Sequence, residues 1–314
     1  MTVLILSAIP DVHAQAVMNA LAAQGASAEL LDLSEFPTQL APSIACEDGK
    51  RRFEFRRRGG GALDLDSISA VWWRGPQSFR PTEGMEEAHR RFVISAAMNA
   101  FQGLHQALHA FWINEPARDA MAARKPYQLA LAQKIGLEIP LTLVAHDVDE
   151  ARRFLRKHEG EVIYKQFMAT SATWRETPRL KPDDESFVEA AAHGPVIFQQ
   201  HVPAVADLRV MAIGKEFFAA AADVRDAVHP QDASMNLDAK YAAHELPPEI
   251  KAKLGALMKR LGLVYGAIDL RLTPEGSYVF QEINPAGQFV YIENATGQPI
   301  AATLARTLST KHAA

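Results

Sequence analysis

The sequence predicts an α/β protein of more than one domain, and three features say so. Strand-like apolar runs alternate with helical patterns along most of the chain, 48% of the residues are apolar, and no segment is biased toward disorder. At 314 residues the chain can build two or three separate cores. Taken in order, Val3–Ser7 reads as a strand, His13–Gln24 as a helix stopped by Gly25, and Ala28–Asp32 as a second strand. This is a βαβ opening without the G-x-G-x-x-G of a dinucleotide site. Arg51–Arg58 and Leu63–Leu65 flank Gly59-Gly60-Gly61 as a hairpin, and no helix follows those glycines to make a phosphate cradle. The basic run Lys50–Arg58, with its two phenylalanines, reads as a solvated edge strand.

Ile68–Trp73 is a further strand, and Met85–Phe111 reads as a long helix with Phe92, Ala96, Ala100 and Leu104 on its apolar face. The break at Asn114-Glu115-Pro116 ends a first domain, 1–115. Lys125 opens the next helix, with Pro126 at the favoured first position, and Gly136 ends it. Strand Pro140–Ala145, helix Asp147–His158, strand Glu161–Lys165, helix Asp184–Ala192 and strand Val196–Gln200 complete a segment 116–200. The last segment, 201–314, holds the hairpin Leu208–Ile213 and Glu216–Ala221 around Gly214-Lys215, then helix Pro248–Leu261. A second hairpin, Tyr265–Leu272 and Ser277–Ile283, and a closing helix Pro299–Leu308 follow.

The totals exclude several functions. Lys and Arg number 33 against 37 Asp and Glu, a net of −4, which gives no footprint for nucleic acid. No run approaches the roughly 20 apolar residues of a membrane span, and the N-terminal run lacks a basic start and a cleavage site. The expectation is a cytoplasmic protein with neither membrane nor nucleic acid as partner. A single cysteine, Cys46, has no nearby base and excludes a disulfide framework, and the 11 histidines show no metal spacing. Trp72 and Trp73 read as packing residues.

Chemistry concentrates in YGAIDLRLTPEGSYVFQEINPAG. With Thr273–Gly276 as the turn and Leu272 opposite Ser277, Asp269 falls opposite Phe280. Alternation then gathers Asp269, Arg271, Glu282 and Asn284 on one face, with Tyr265, Tyr278 and Phe280. Ile268, Leu270, Leu272, Val279 and Ile283 take the other face, toward a core. Carboxylates and an amide crowded together ask for a hard divalent cation with polyphosphate. Magnesium takes one or two carboxylates plus phosphate oxygens, and Arg271 suits a phosphate or acyl-phosphate oxygen.

On these residues the sequence resembles the ATP-grasp superfamily, whose metal ligands are a carboxylate and a Glu-x-Asn about thirteen residues on. The resemblance implies an N-terminal pre-ATP-grasp α/β domain followed by two α+β lobes that clasp the nucleotide. It implies ATP and Mg2+ as cofactors, with the metal on Asp269, Glu282 and Asn284. Lys125 and Lys165 look like the two nucleotide lysines. VIFQQHVPAVADLRV resembles the hinge that binds adenine through main-chain groups at Gln200, His201, Val202 and Pro203, although the family often has Glu where Gln200 stands. Asp207 matches the acid that holds the ribose hydroxyls, and Arg209 and Arg225 resemble arginines that face the phosphates or the acyl phosphate. After Lys165 the loop has no glycine where many members have several; Thr170, Ser171 and Thr173 stand there instead.

A narrower resemblance runs along nearly the whole chain. VWWRGP, DLRV, the hairpin segment through QFVYIE and the tail TGQPIAATLA look like the ligases that mature microviridins and other graspetides. What this implies is ATP-dependent joining of Asp or Glu side chains to Thr, Ser or Lys side chains in a ribosomal precursor peptide, through an acyl phosphate. The partners implied are a precursor with a leader segment, docked at the Gly214-Lys215 hairpin with its Phe217-Phe218, and a second copy in a homodimer. Alternatives are a ligase that adds glutamates to a ribosomal protein, a small-molecule ligase, and a nucleotide-binding module without turnover. Retention of both carboxylates and the asparagine disfavours the last.

Overall fold

A computed structural model describes residues 2–158, 161–165, 167, 178–181, 184–225 and 239–310. The chain forms two compact units. The first comprises residues up to Pro116, joined by Gln288–Val290 and the segment from Pro299 on; the second comprises Ala117–Gly287 and Tyr291–Gln298. Among the described residues no helix is long and apolar enough to cross a membrane.

The first unit opens with β1 (Thr2–Leu6), α1 (Val12–Ala23) and β2 (Ser27–Leu31), the expected βαβ. Asp11 caps α1, accepting from the His13 N–H at 2.8 Å, and Gly25 follows its end with φ 74°. Four consecutive residues of β1, Val3–Leu6, are buried, as a central parallel strand requires. An unforeseen strand, β3 (Leu40–Glu47), pairs with β4 (Lys50–Arg57), and β4 pairs with β5 (Ala62–Asp64). The basic run is therefore a central strand, not an edge. Its alternation buries Phe53 and Phe55 in the unit's core and leaves the arginines outside.

β6 (Ile68–Trp73) and β7 (Phe111–Ile113) complete a parallel sheet of order β2-β1-β6-β7. Between them runs α2 (Glu87–Ala107). Phe111, expected in this helix, lies in β7. Phe92 is 72% exposed, while Ala97 is buried and Phe101 packs near Trp73 and Phe79. A helix apolar on several sides offers more than one stripe, and those ring contacts select another than the one spacing chose. The closing helix, Ile300–Ser309, packs on α1 in this unit and not with the third sequence segment.

The second unit begins after α3 (Pro116–Ala122) with α4 (Lys125–Lys134). β8 (Thr142–Ala145), β9 (Val162–Lys165), β10 (Arg179–Leu180) and β11 (Val196–Gln200) make an antiparallel sheet of order β10-β9-β11-β8. α5 (Val148–Lys157) and α6 (Glu185–Glu189) cover one side, with Phe198, Leu155 and Val188 in the core between. The other side of the same strands carries Lys165 opposite Ile197. A second antiparallel sheet has the order β14-β13-β12-β15-β16. Its strands are β12 (Ala206–Ile213), β13 (Glu216–Asp223), β14 (Tyr241–His244), β15 (Tyr265–Leu272) and β16 (Tyr278–Asn284). α7 (Pro248–Leu261) packs its Leu254, Leu257 and Met258 on Ile268, Leu270 and Phe280. Phe217 joins this core and Phe218, next in the strand, points the other way. The loop carrying Thr170, Ser171 and Thr173 lies outside the described residues.

Candidate functional site

The site grows from an irregularity in the β15–β16 hairpin. Its turn closes as expected: the Gly276 N–H donates to the Thr273 carbonyl at 3.0 Å, with Gly276 at φ 87°, a left-handed value that favours glycine. The register differs from expectation, because Leu272 pairs with Tyr278 and not with Ser277. Further along, Leu270 pairs with Phe280 but Asp269 pairs with Glu282, so Gln281 is one extra residue, a β-bulge. The bulge sends Phe280 and Glu282, two residues apart, to opposite faces. Phe280 is fully buried in the core with Ile268 and Ile283, and Tyr278 packs beside it, so neither lies on the charged face where strict alternation put them. Val279, expected toward the core, stands opposite Arg271 instead.

Asp269 and Glu282 become direct cross-strand neighbours, with Asn284 next along, opposite Ala267. Like charges so placed destabilise a sheet unless cations answer them. Three do. Arg209, opposite Asp269 on β12, donates through one Nη1 to both carboxylate oxygens at 2.7 Å. Lys125, at the start of α4, pairs with Glu282. Lys165 adds its field to the same carboxylate. Burial by itself would raise the Glu282 carboxyl, but Lys125, then Lys165 and Arg209, overcome this and hold it below the usual range. Burial wins at Asp269, which is pushed up with help from Glu282 and against Arg209. The two neighbouring carboxylates are thus driven apart in proton affinity.

Gln128, on α4 one turn beyond Lys125, fixes this geometry. Its Nε2 donates to the Ile283 carbonyl at 2.8 Å and its Oε1 accepts from the Ile283 N–H at 3.1 Å, clamping the backbone between Glu282 and Asn284. The chain beyond Asn284 is pressed onto β15: a Cβ on Gly287 would lie 2.3 Å from the Ala267 methyl and 3.3 Å from Arg209 Nη2. Tyr265 Oη donates to the Gly287 carbonyl at 2.6 Å. Tyr291, in α8 (Val290–Thr296), stands 5.5 Å ring to ring from Tyr241 on β14. Burial pushes both phenols above their usual range.

At the other end, the hinge Gln200–Pro203 uses part of its backbone internally. The Gln200 N–H donates to the Leu141 carbonyl at 2.8 Å and the His201 N–H to the Glu161 carbonyl at 2.6 Å. Val202 is buried. Burial, then Arg271 and Arg179, holds the His201 imidazole below its ordinary range. Asp207 and Arg271, both buried, face each other across β12 and β15 with Arg271 Nε donating to Oδ1 at 2.8 Å. Arg271 is thereby engaged with Asp207, not with Asp269 and Glu282 as the grouping by face suggested. Arg225 lies beyond the end of β13, exposed and paired with Asp223.

The structure therefore gathers Lys125, Lys165, Arg209, Asp269, Glu282 and Asn284 at one centre. Gln200, His201, Val202, Asp207 and Arg271 form the hinge end, and Arg225 follows the end of β13, paired with Asp223. Among the described residues no group of three or more His, Cys, Asp or Glu could cage a metal. Two carboxylates and an amide oxygen instead make a partial, hard-oxygen set, which suits magnesium completing its octahedron with phosphate and water. Sequence reasoning missed Gln128, Tyr241 and Tyr291. The one available signal was the helical spacing of Gln128 to Lys125.

Residues 2–120 match the family model described as the MvdD pre-ATP grasp domain. None of the curated protein sequences matches the chain. The crystal structure of macrocyclase MdnC bound with precursor peptide MdnA, from Microcystis aeruginosa MRC, is 27% identical, with TM-score 0.87 over 99% of this chain and 100% of that one. A RiPP-associated ATP-grasp ligase from Chryseobacterium gregarium, in complex with ADP and a leader and core peptide, is 24% identical, with TM-score 0.90 over 99% and 97%. A RimK domain protein ATP-grasp from Sphaerobacter thermophilus DSM 20745 is more distant, 17% identical with TM-score 0.58 over 99% and 100%. The chain has the ATP-grasp fold throughout and resembles the peptide macrocyclases within it.

Proposed function

We propose that this ATP-grasp ligase joins Asp or Glu side chains of a ribosomal precursor peptide to hydroxyl or amino side chains of the same peptide, through an acyl phosphate. The observation that carries the reading is the direct pairing of Asp269 with Glu282 beside Asn284, ringed by Lys125, Lys165 and Arg209. Asp269, Glu282 and Asn284 would hold magnesium, which when bound neutralises the triphosphate. Lys125 and Lys165 bind phosphates, and their opposite charges on Glu282 are already in place. At the hinge, the Gln200 and His201 N–H groups are taken, so the Val202 N–H and the carbonyls of Gln200 and His201 are assigned to adenine. Asp207 accepts from the ribose hydroxyls, and Arg271 holds it in place for this. Arg209, and Arg225 from the end of β13, are assigned to the transferring phosphoryl and acyl groups.

The peptide substrate is supported by whole-length similarity to a macrocyclase bound with its precursor. The leader is assigned to the tip of the β12–β13 hairpin, where Lys215 and Phe218 present a basic and an apolar side chain and Phe217 is committed to the core. Remote binding of this kind raises the effective concentration of weakly held reacting residues. A homodimer is assigned as well, through the outer side of α2, which exposes Phe92 and Met98.

The test uses ATP, Mg2+ and a synthetic peptide copied from a neighbouring short reading frame rich in Asp, Glu and Thr, with and without its leader. The expected result is a mass loss of one water per bond formed, dependent on the leader. Equal reaction of the leaderless core, or of a free amino acid, would replace this reading with a small-molecule ligase.

A further inference from the structure

The face of the large sheet that carries Asp269 and Glu282 continues past Arg209 in the other direction, away from Lys125. One row of the register runs Asp269–Arg209–Ala220–Ala243, and the next runs Arg271–Asp207–Ala222–Tyr241. Beyond the two β12 residues, small methyl groups occupy the face until Tyr241 closes it. Tyr291 reaches the same place from α8, its ring centroid 5.5 Å from that of Tyr241 and inclined 67° to it. Both phenols lie within electrostatic reach of Arg209 and Asp269.

Packing accounts for the rings but not for the hydroxyls. Ala220 and Ala222 are buried, and two phenylalanines would roof them equally well. Phenol hydroxyls in a largely apolar place need partners. Here the two rings meet edge to face, with the Arg209–Asp269 pair in electrostatic reach. Tyr291 is 40% exposed, so a substrate can reach this residue, with Tyr241 packed against its ring. The metal and phosphate ligands occupy the β16 side of Arg209. The β13–β14 side, where the tyrosines stand, is left for the group that attacks.

We propose that Tyr291, oriented by Tyr241, is a catalytic residue of the acyl-transfer half of the reaction, its hydroxyl donating a hydrogen bond to the acyl oxygen as the acceptor attacks. This rests on the ligase reading above. In the step, the acceptor's oxygen or nitrogen bonds to the acyl carbon and the carbonyl electron pair moves onto the acyl oxygen. On collapse the bond from the acyl carbon to the phosphate oxygen breaks. Phosphate leaves with that electron pair, and the acceptor's proton passes to the phosphate. The tyrosine keeps its proton throughout and stabilises the negative charge that appears on the acyl oxygen.

Replacing Tyr291 by phenylalanine removes one hydroxyl from a partly exposed ring, so the fold is not at stake. Ligation of the leader-bearing precursor is expected to fall on the order of 10²-fold in Tyr291→Phe, with a smaller fall in Tyr241→Phe. Acyl phosphate should still form, so ATP-dependent hydroxamate made at saturating hydroxylamine, where formation of the acyl phosphate limits the rate, should stay within about twofold of the wild type. Ligation at the wild-type rate in Tyr291→Phe would overturn the proposal. So would a parallel fall of ligation and hydroxamate, since the hydroxyl would then serve the first half-reaction. A wild-type enzyme that makes ADP and ligated peptide but no trappable hydroxamate overturns this proposal, which needs the acyl phosphate, and one that makes neither ADP nor ligated peptide overturns the ligase reading as well.

Discussion

β12 and β15 carry two Asp–Arg pairs side by side, with the partners exchanged. Asp207 on β12 meets Arg271 on β15, and two residues on, Arg209 on β12 meets Asp269 on β15. The chemistry is the same and the surroundings differ. Asp207 and Arg271 are both buried. Asp269 instead shares its cation with Glu282, and the bulge at Gln281 is what brings that second carboxylate alongside. The first pair is a post for the hinge. The second is a centre where two carboxylates are kept close to Lys125, Lys165 and Arg209, so that oxygen ligands for a cation and cations for phosphate stand side by side. Identical residue pairs thus divide into scaffold and site by what stands next to them.

The largest expected effect comes from removing what makes the second pair different. Glu282→Ala and Asn284→Ala should each cost about 3–4 kcal/mol of transition-state stabilisation, on the order of 10²- to 10³-fold in ADP formation. Glu282→Ala removes the repulsion at Asp269 and the ion pair with Lys125 together, so its melting temperature should shift much less than its activity. Near-normal ADP formation in both variants would mean that the centre lies elsewhere.

Exchanging the arginines sharpens the contrast. Arg271→Met takes a buried guanidinium away from the buried Asp207 carboxylate, a change worth about 3–5 kcal/mol, and should be seen first as lost thermal stability. Arg209→Met should be seen first as lost turnover, with a smaller shift in melting, since the Asp269 side chain keeps 30% exposure. The reverse pattern would make Arg209–Asp269 the structural pair. Lys165→Ala should raise the KM for ATP about tenfold, or about 1.4 kcal/mol, through loss of a positioned ammonium. An unchanged KM would remove Lys165 from the nucleotide.

The smallest effect concerns the hinge. Burial, with Arg271 and Arg179, depresses His201 below its ordinary 6.5. Below pH 6.5 the unfolded chain gains a proton that folded His201 refuses, so stability is full above that value and falls toward the folded one. Melting temperatures measured above and below pH 6.5 should converge in His201→Gln relative to the wild type. An equal acid-induced drop in both would assign the effect to other groups.

Much of this was legible in the sequence, and what was not had physical causes. Asp269, Glu282 and Asn284 could be picked out from residue type and spacing, which do not depend on strand register. The bulge could not be placed, although its trace was there. Tyr278 and Phe280 share parity with Glu282 and Asn284, and one strand cannot bury the first two and expose the others to a ligand without an extra residue between them. Arg271 was grouped with Asp269, Glu282 and Asn284 because alternation reports a face and not a neighbour across the sheet. Gln128 left only its helical spacing to Lys125 as a signal, and the Tyr241–Tyr291 pair left none, since these residues act over tertiary distances. In the first unit, β3 lacks alternation and was passed over. Without it, the basic strand it covers looked like an edge.

The central claim, that the Asp269–Glu282 centre directs attack of a substrate carboxylate on the terminal phosphate of ATP, is tested most directly by the nucleotide product. Wild-type protein with leader-bearing precursor should release one ADP and one phosphate for each water lost from the peptide, and Glu282→Ala should release both at least about 10²-fold more slowly. AMP and pyrophosphate in that same ratio would contradict the account, since they require attack at the α-phosphate and an adenylate in place of the acyl phosphate.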